Sequence, residues 1–144
     1  MFKVLWKLYK RRHISSRQQL LNAAANGELD MIKYHISIRS KIDCTNDIGS
    51  TPLMYAALNS KADAVKLLMN GGANLNHCNS HGDTALMYAA FYGNIDMVKL
   101  LLSAGADYTA VNIVGHTAIS LAAEAGHYEV LSVLTSHARV FSNE

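Results

Sequence analysis

At 144 residues the chain is one domain's worth, and with half of its residues hydrophobic, one Pro and nine Gly it has a core to bury and little room for a disordered linker. Two Cys do not make a secreted disulfide framework, no apolar run approaches the roughly 18 residues of a membrane span, and no N-x-S/T acceptor occurs, so the expected setting is reducing and intracellular, in the cytoplasm. The net charge of +2 is unevenly spread: Lys3, Lys7, Lys10, Arg11, Arg12 and Arg17 make a basic head, and acids outnumber bases in the remainder.

Residues 1–13 predict a short amphipathic helix, set apart with residues 14 and 15 as an N-terminal segment. At about 100° per residue Val4, Leu8, Leu5, Tyr9, Phe2 and Trp6 sweep one broad face, and Lys10, Lys3, Lys7 and Arg11 gather on the other. Such a helix needs an apolar surface, which could be the open end of a stacked array, an anionic membrane or a partner. A cleaved secretory signal is not expected, because Lys7 interrupts the apolar run and no small-residue cleavage site follows.

The rest of the chain, 16–144, repeats itself every 33 residues, in units of about 16–48, 49–81, 82–114 and 115–141. The first unit matches best from Leu20 to Lys33; later, Arg39-Ser40 replace a Gly-Ala step and His35 replaces an inner Leu, so His35 is expected to be a half-buried residue of a terminal repeat. In the second and third units Thr51 and Thr84 stand where a hydroxyl can cap a helix, and Pro52 follows at the first helical position, where its missing donor costs nothing. Ala56-Ala57 and Ala89-Ala90 are small where helices press together. Gly93 and Gly126 suit the left-handed turn after a short first helix, and Ser60 takes that place in the second unit at some strain. Val65, Leu67 and Leu68, and Val98, Leu100, Leu101 and Leu102, are expected to fill the second helices, whose starts carry Asp30, Asp63, Asp96 and Glu129 in favour of the helix dipole. In the last unit His137-Ala138-Arg139 replace the Gly-Ala step, and Ser132, Thr135 and Ser136 dilute the second helix, as suits a C-terminal cap.

The run Thr51-Pro52-Leu53-Met54-Tyr55-Ala56, echoed from Thr84 and from Thr117, resembles the T-P-L-H-x-A signature of the ankyrin repeat. Met54, Met87 and Ser120 depart from it where the signature has His, which predicts loss of a hydrogen-bonding side chain without loss of packing. The resemblance implies an all-α solenoid of four helix-turn-helix repeats joined by hairpin-like fingers, and a binding scaffold rather than an enzyme. In this family the finger tips and the exposed side of each first helix form a concave strip. The register places on it Asp47, Ile48 and Ser50; Leu58 and Asn59; Ser80, His81 and Asp83; Phe91 and Tyr92; and Ile113, Val114 and His116. Phe91 and Tyr92 are the expected centre of a partner-protein site, with the alternative that Phe91 tucks under the neighbouring finger and leaves only Tyr92 exposed.

Other chemistry finds little footing. His77, Cys78 and His81, with Cys44 and His116 near other turns, are the metal-like residues, yet His77 and His81 share a turn and not one face of a helix, so no metal is expected. Ser, His and Asp fall at positions explained by caps and turns, and the glycines follow the repeat instead of clustering as a phosphate loop, so neither catalysis nor a cofactor is expected. Nucleic-acid binding would need a basic stripe along the array, and the repeats are net acidic. The functions that remain are a protein-interaction adaptor and, as the alternative, a peripheral membrane protein held by residues 1–13.

Overall fold

The computed structural model describes residues 14–141. The N-terminal segment 1–13, with its expected helix and its capping or membrane role, lies outside the described residues. The described chain is helical throughout: α1 (Ser16–Asn26), α2 (Leu29–Ser37), α3 (Pro52–Leu58), α4 (Ala62–Asn70), α5 (Ala85–Phe91), α6 (Ile95–Ser103), α7 (Ala118–Glu124) and α8 (Tyr128–Phe141). The helices come in four pairs, one pair per repeat. The first helices α1, α3, α5 and α7 pack in a row, and behind them α2 packs on α4 and α6 on α8.

Helices of seven to nine residues do not hold alone in water, so the local sequence must start and stop them and the stack must keep them. Thr51, Thr84 and Thr117 each accept the backbone N–H of the residue three further on, at 3.2–3.3 Å, and Pro52 opens α3. Gly27, Gly93 and Gly126 turn the chain after α1, α5 and α7 with φ between 70° and 75°, and Ser60 adopts φ 58° at the same place. Ser60 is partly compensated, since its Oγ lies 2.6 Å from the Asn94 amide nitrogen of the next repeat. The core runs the length of the stack: Leu20, Ile32, Leu53, Met54, Val65, Leu68, Leu86, Met87, Met97, Val98, Leu101 and Leu134 are all buried, and the small Ala56, Ala57, Ala89 and Ala90 let neighbouring first helices approach.

Three expectations need correction. His35 is fully buried, not half-buried: only 1% of it is exposed, its Nδ1 lies 3.1 Å from Ser40 Oγ, and its Nε2 has no partner among the described residues. Burial lowers its pKa, because a charged imidazole would have to leave water. Leu67 and Leu100 are only half-buried, since they lie at the edge of the apolar stripe that Leu68 and Leu101 centre. Ser120 keeps the hydrogen bonding that its departure from His seemed to remove: its Oγ takes the Thr117 N–H at 2.9 Å, which completes a reciprocal cap. In the last repeat α8 runs unbroken through His137-Ala138-Arg139 for 14 residues.

Candidate interaction face

Between helix pairs the chain folds into three tight turns, and one residue builds each of them. Asn46, Asn79 and Asn112 stand three residues before Gly49, Gly82 and Gly115. In each turn the Asn backbone N–H bonds the carbonyl four residues on, and the Asn Oδ1 accepts two backbone N–H groups, from Ile48 and Ser50, from His81 and Asp83, and from Val114 and His116. This is a side chain standing in for backbone, and it fixes the finger without any strand pairing. The other end of the amide reaches forward: Asn46 Nδ2 donates to Tyr55 Oη and Asn79 Nδ2 to Tyr88 Oη, both at 2.9 Å. In the last repeat Leu121 replaces that Tyr, and Asn112 Nδ2 donates to Asp83 Oδ1 of the preceding finger instead.

The fingers are also tied to one another. Ser80 N donates to Ile48 O and Ile113 N to His81 O, both at 2.9 Å, so the second and third fingers each give one backbone bond to the finger before. A second tie runs at the base of the fingers, where Asn74 N donates to the Asp43 carboxylate and Asp107 N to Asn76 Oδ1. Asp107 also accepts from the Thr109 hydroxyl and backbone, which holds its carboxyl below the usual range.

The strip residues expected from the register fall into two groups. Ile48, Phe91, Tyr92, Ile113 and Val114 are exposed by 45%, 46%, 59%, 71% and 73%, and Phe91 and Tyr92 meet edge to face at 5.1 Å, so Phe91 is not tucked away. Asp47 is open to solvent beside Arg17 at 3.6 Å, and His81 is exposed. The remaining members serve the scaffold. Ser50 is not a surface residue: it is 5% exposed, because the finger folds it back against Asn79 of the next repeat. Ser80 Oγ donates to Ile48 O, Asn59 Nδ2 closes the end of α3 on Tyr55 O, and Asp83 holds Asn112. His116 is half-buried, with Nδ1 3.1 Å from Glu124 Oε1, and Leu58 is half-buried. The fingers and the Phe91–Tyr92 pair form two lines, since the seven residues of α5 put its ends about 10 Å apart.

Sequence reasoning missed the asparagines and the two tyrosines as members of this face. The signal was present, an Asn three residues ahead of each finger Gly at the 33-residue period. Burial raises the Tyr88 pKa, helped by the Asp83 carboxylate nearby. Among the described residues no group of three or more His, Cys, Asp or Glu is placed to hold a metal ion. His77 Nε2 is instead 3.0 Å from Gly49 O, and the buried Cys44 Sγ faces Arg17 O.

Residues 20–112 match the family profile of ankyrin repeats, in three copies. The chain belongs to the ankyrin-repeat family. The ankyrin match runs from within α1 to the start of the third finger, and the pair α7 and α8 lies beyond it. Ankyrin repeats generally mediate protein–protein interaction and are typically non-enzymatic modules. No curated protein sequence matches this ankyrin chain. None of its described helices is long and apolar enough to cross a membrane.

Proposed function

We propose that the array is an intracellular, cytoplasmic adaptor that holds a partner protein on the face made by its finger tips and the ends of its first helices, with Phe91 and Tyr92 at the centre. One observation carries this reading: Ile48, Phe91, Tyr92, Ile113 and Val114 expose large apolar surface at positions the core does not use. Exposed apolar side chains close together mark a place of contact, and aromatic anchors such as Phe91 and Tyr92 dominate such contacts. The polar rim is supplied by Asp47 and His81.

The test is the paired substitution Phe91→Ala with Tyr92→Ala, followed by melting and by capture of the partner from cells. Both side chains stand outside the buried core, so melting should hold while capture is lost. Full capture by the folded variant, or a collapse of melting, removes the basis for placing the partner here.

A further inference from the structure

Beside the two exposed lines lies a cleft that the register did not single out. It has a volume of about 100 Å3 and is lined by Ile48 and Ser50 of the first finger, Met54, Tyr55 and Leu58 of α3, and Tyr88 of α5. Small-molecule sites run to roughly 300–1,000 Å3, so this space suits one side chain and not a whole ligand. Its walls are apolar, and their polar atoms are already engaged. Tyr55 Oη accepts from Asn46, Tyr88 Oη accepts from Asn79, and Ser50 Oγ lies 3.5 Å from Asn79 Nδ2. An aliphatic group could enter without orphaning a hydrogen bond, and the Asn-to-Tyr bonds hold both rings in place beforehand.

Near the cleft two carboxylates stand against one cation. Asp47 flanks Ile48 in sequence with its carboxylate open to solvent, and the Asp83 carboxylate, half-buried and bonded by Asn112, lies near Tyr88. Among the described residues no Lys or Arg lines the cleft, and Arg17 is the cation paired with Asp47, at a solvent-exposed 3.6 Å where such a pair is weak. The lysines of the repeat, Lys33, Lys66 and Lys99, recur on the second helices behind. One repeat on, the equivalent positions carry His81, Asp83, Met87, Tyr88, Phe91 and Leu121, with charge and an aromatic ring where the cleft has Ser50 and Leu58.

We propose that this cleft is the anchor socket of the interaction face, taking a single aliphatic side chain from a peptide segment of the partner whose neighbouring residues are Lys or Arg. The proposal rests on the reading that a partner binds this face, and adds what the partner must carry. The socket supplies affinity by burying the aliphatic group, and Asp47 and Asp83 select the basic flanks and speed the encounter.

The experiment uses the full chain and three synthetic 12-residue Gly/Ser peptides: one with a Leu between two Lys, one with that Leu replaced by Ser, and one with both Lys replaced by Glu. Binding is followed by amide and methyl NMR shifts. The Leu–Lys peptide should shift Ile48, Ser50, Leu58 and Tyr88 together, and loss of its Leu should weaken it by about tenfold or more. The Glu peptide should bind least, and the preference for Lys should shrink as salt rises. Ile48→Gln, at an exposed finger tip, and Leu58→Gln should each weaken the Leu–Lys peptide, with unchanged melting showing that the fold is kept. Asp83→Asn keeps an oxygen for Asn112 and should cost only the Lys preference. Equal binding of the Leu and Ser peptides, shifts elsewhere, or no effect of either Gln variant overturns the socket. If the cellular partner is lost with Phe91→Ala/Tyr92→Ala yet indifferent to Ile48→Gln and Leu58→Gln, the socket falls and the interaction face stands; if none of these variants loses it, both fall.

Discussion

The middle repeats and the terminal ones obey the same pattern under different supervision. In the middle, each finger lies against the next, and a Cβ added at Gly82 would meet the Asn112 backbone at 2.9 Å, one at Gly49 the Ser80 backbone at 3.3 Å. At the last finger Gly115 has the same left-handed backbone, φ 92°, yet a Cβ there would meet nothing. In the first repeat the Gly of the second turn is absent altogether, and Arg39 holds φ 52° in its place. A repeat's rules are therefore of two kinds. The conformational rule acts everywhere, whereas the packing rule acts only where a neighbour is present to enforce it.

The largest break in that comparison is expected in the middle of the stack. Leu101→Ala removes a fully buried side chain from α6 and should cost about 2–5 kcal/mol. An array this short has little to spare, so the variant should be largely unfolded at body temperature, and a melt within a degree or two of the parent would contradict the register. Next come the two finger glycines, changed in parallel. Gly115→Ala should lose about 1–2 kcal/mol from the left-handed backbone alone. Gly82→Ala must also push two fingers apart, so chemical denaturation should place it clearly below Gly115→Ala; equal losses would mean that the fingers do not support each other.

The first repeat offers a gentler test through His35. Its folded pKa is depressed, so folding favours the neutral ring. The stability it permits is intact above the unfolded value of about 6.5 and is lost as pH falls through and below that value, because the unfolded chain then takes up a proton that the buried ring resists. His35→Leu, the residue the pattern prefers there, should flatten the decline of melting temperature between pH 7.5 and 5. A decline as steep as the parent's would assign it to other groups. The smallest effect belongs to the borrowed turns: Arg39→Gly should gain up to about 1 kcal/mol by relieving the left-handed backbone. Ser60→Gly should gain less, since it also gives up the contact with Asn94.

How much of this was legible follows from how local each feature is. The caps at Thr51 and Thr84, the Pro52 start, the strain at Ser60 and the core leucine Leu101 depend on a few residues and a period, and the sequence displays both. Ser50 was misjudged because its burial depends on Asn79, 29 residues away. His35 was misjudged because a terminal position says only that a neighbour is missing on one side, not which side chains close over the ring. Tyr55 and Tyr88 sit in an apolar run that shows nothing of their polar role, which emerges only when the finger returns its Asn to within 2.9 Å of each hydroxyl. The two exposed lines, Ile48, Ile113 and Val114 on the fingers and Phe91 with Tyr92 at the end of α5, were visible because those residues are apolar where the repeat has no use for it.

The ladder of fingers has a mechanical consequence. Each rung is one backbone bond, from Ser80 to Ile48 or from Ile113 to His81, backed by side-chain bonds such as Ser80 Oγ to Ile48 O and Asn112 Nδ2 to Asp83 Oδ1 and by a tie at the base. A pull on the two ends of the row loads these rungs in series, so they share the same tension and yield one at a time, in contrast to a sheet whose many bonds are sheared together. Under load the array would lengthen in steps of one repeat, each step releasing 33 residues of chain, and the weakest rung would set the force at which the spring begins to give.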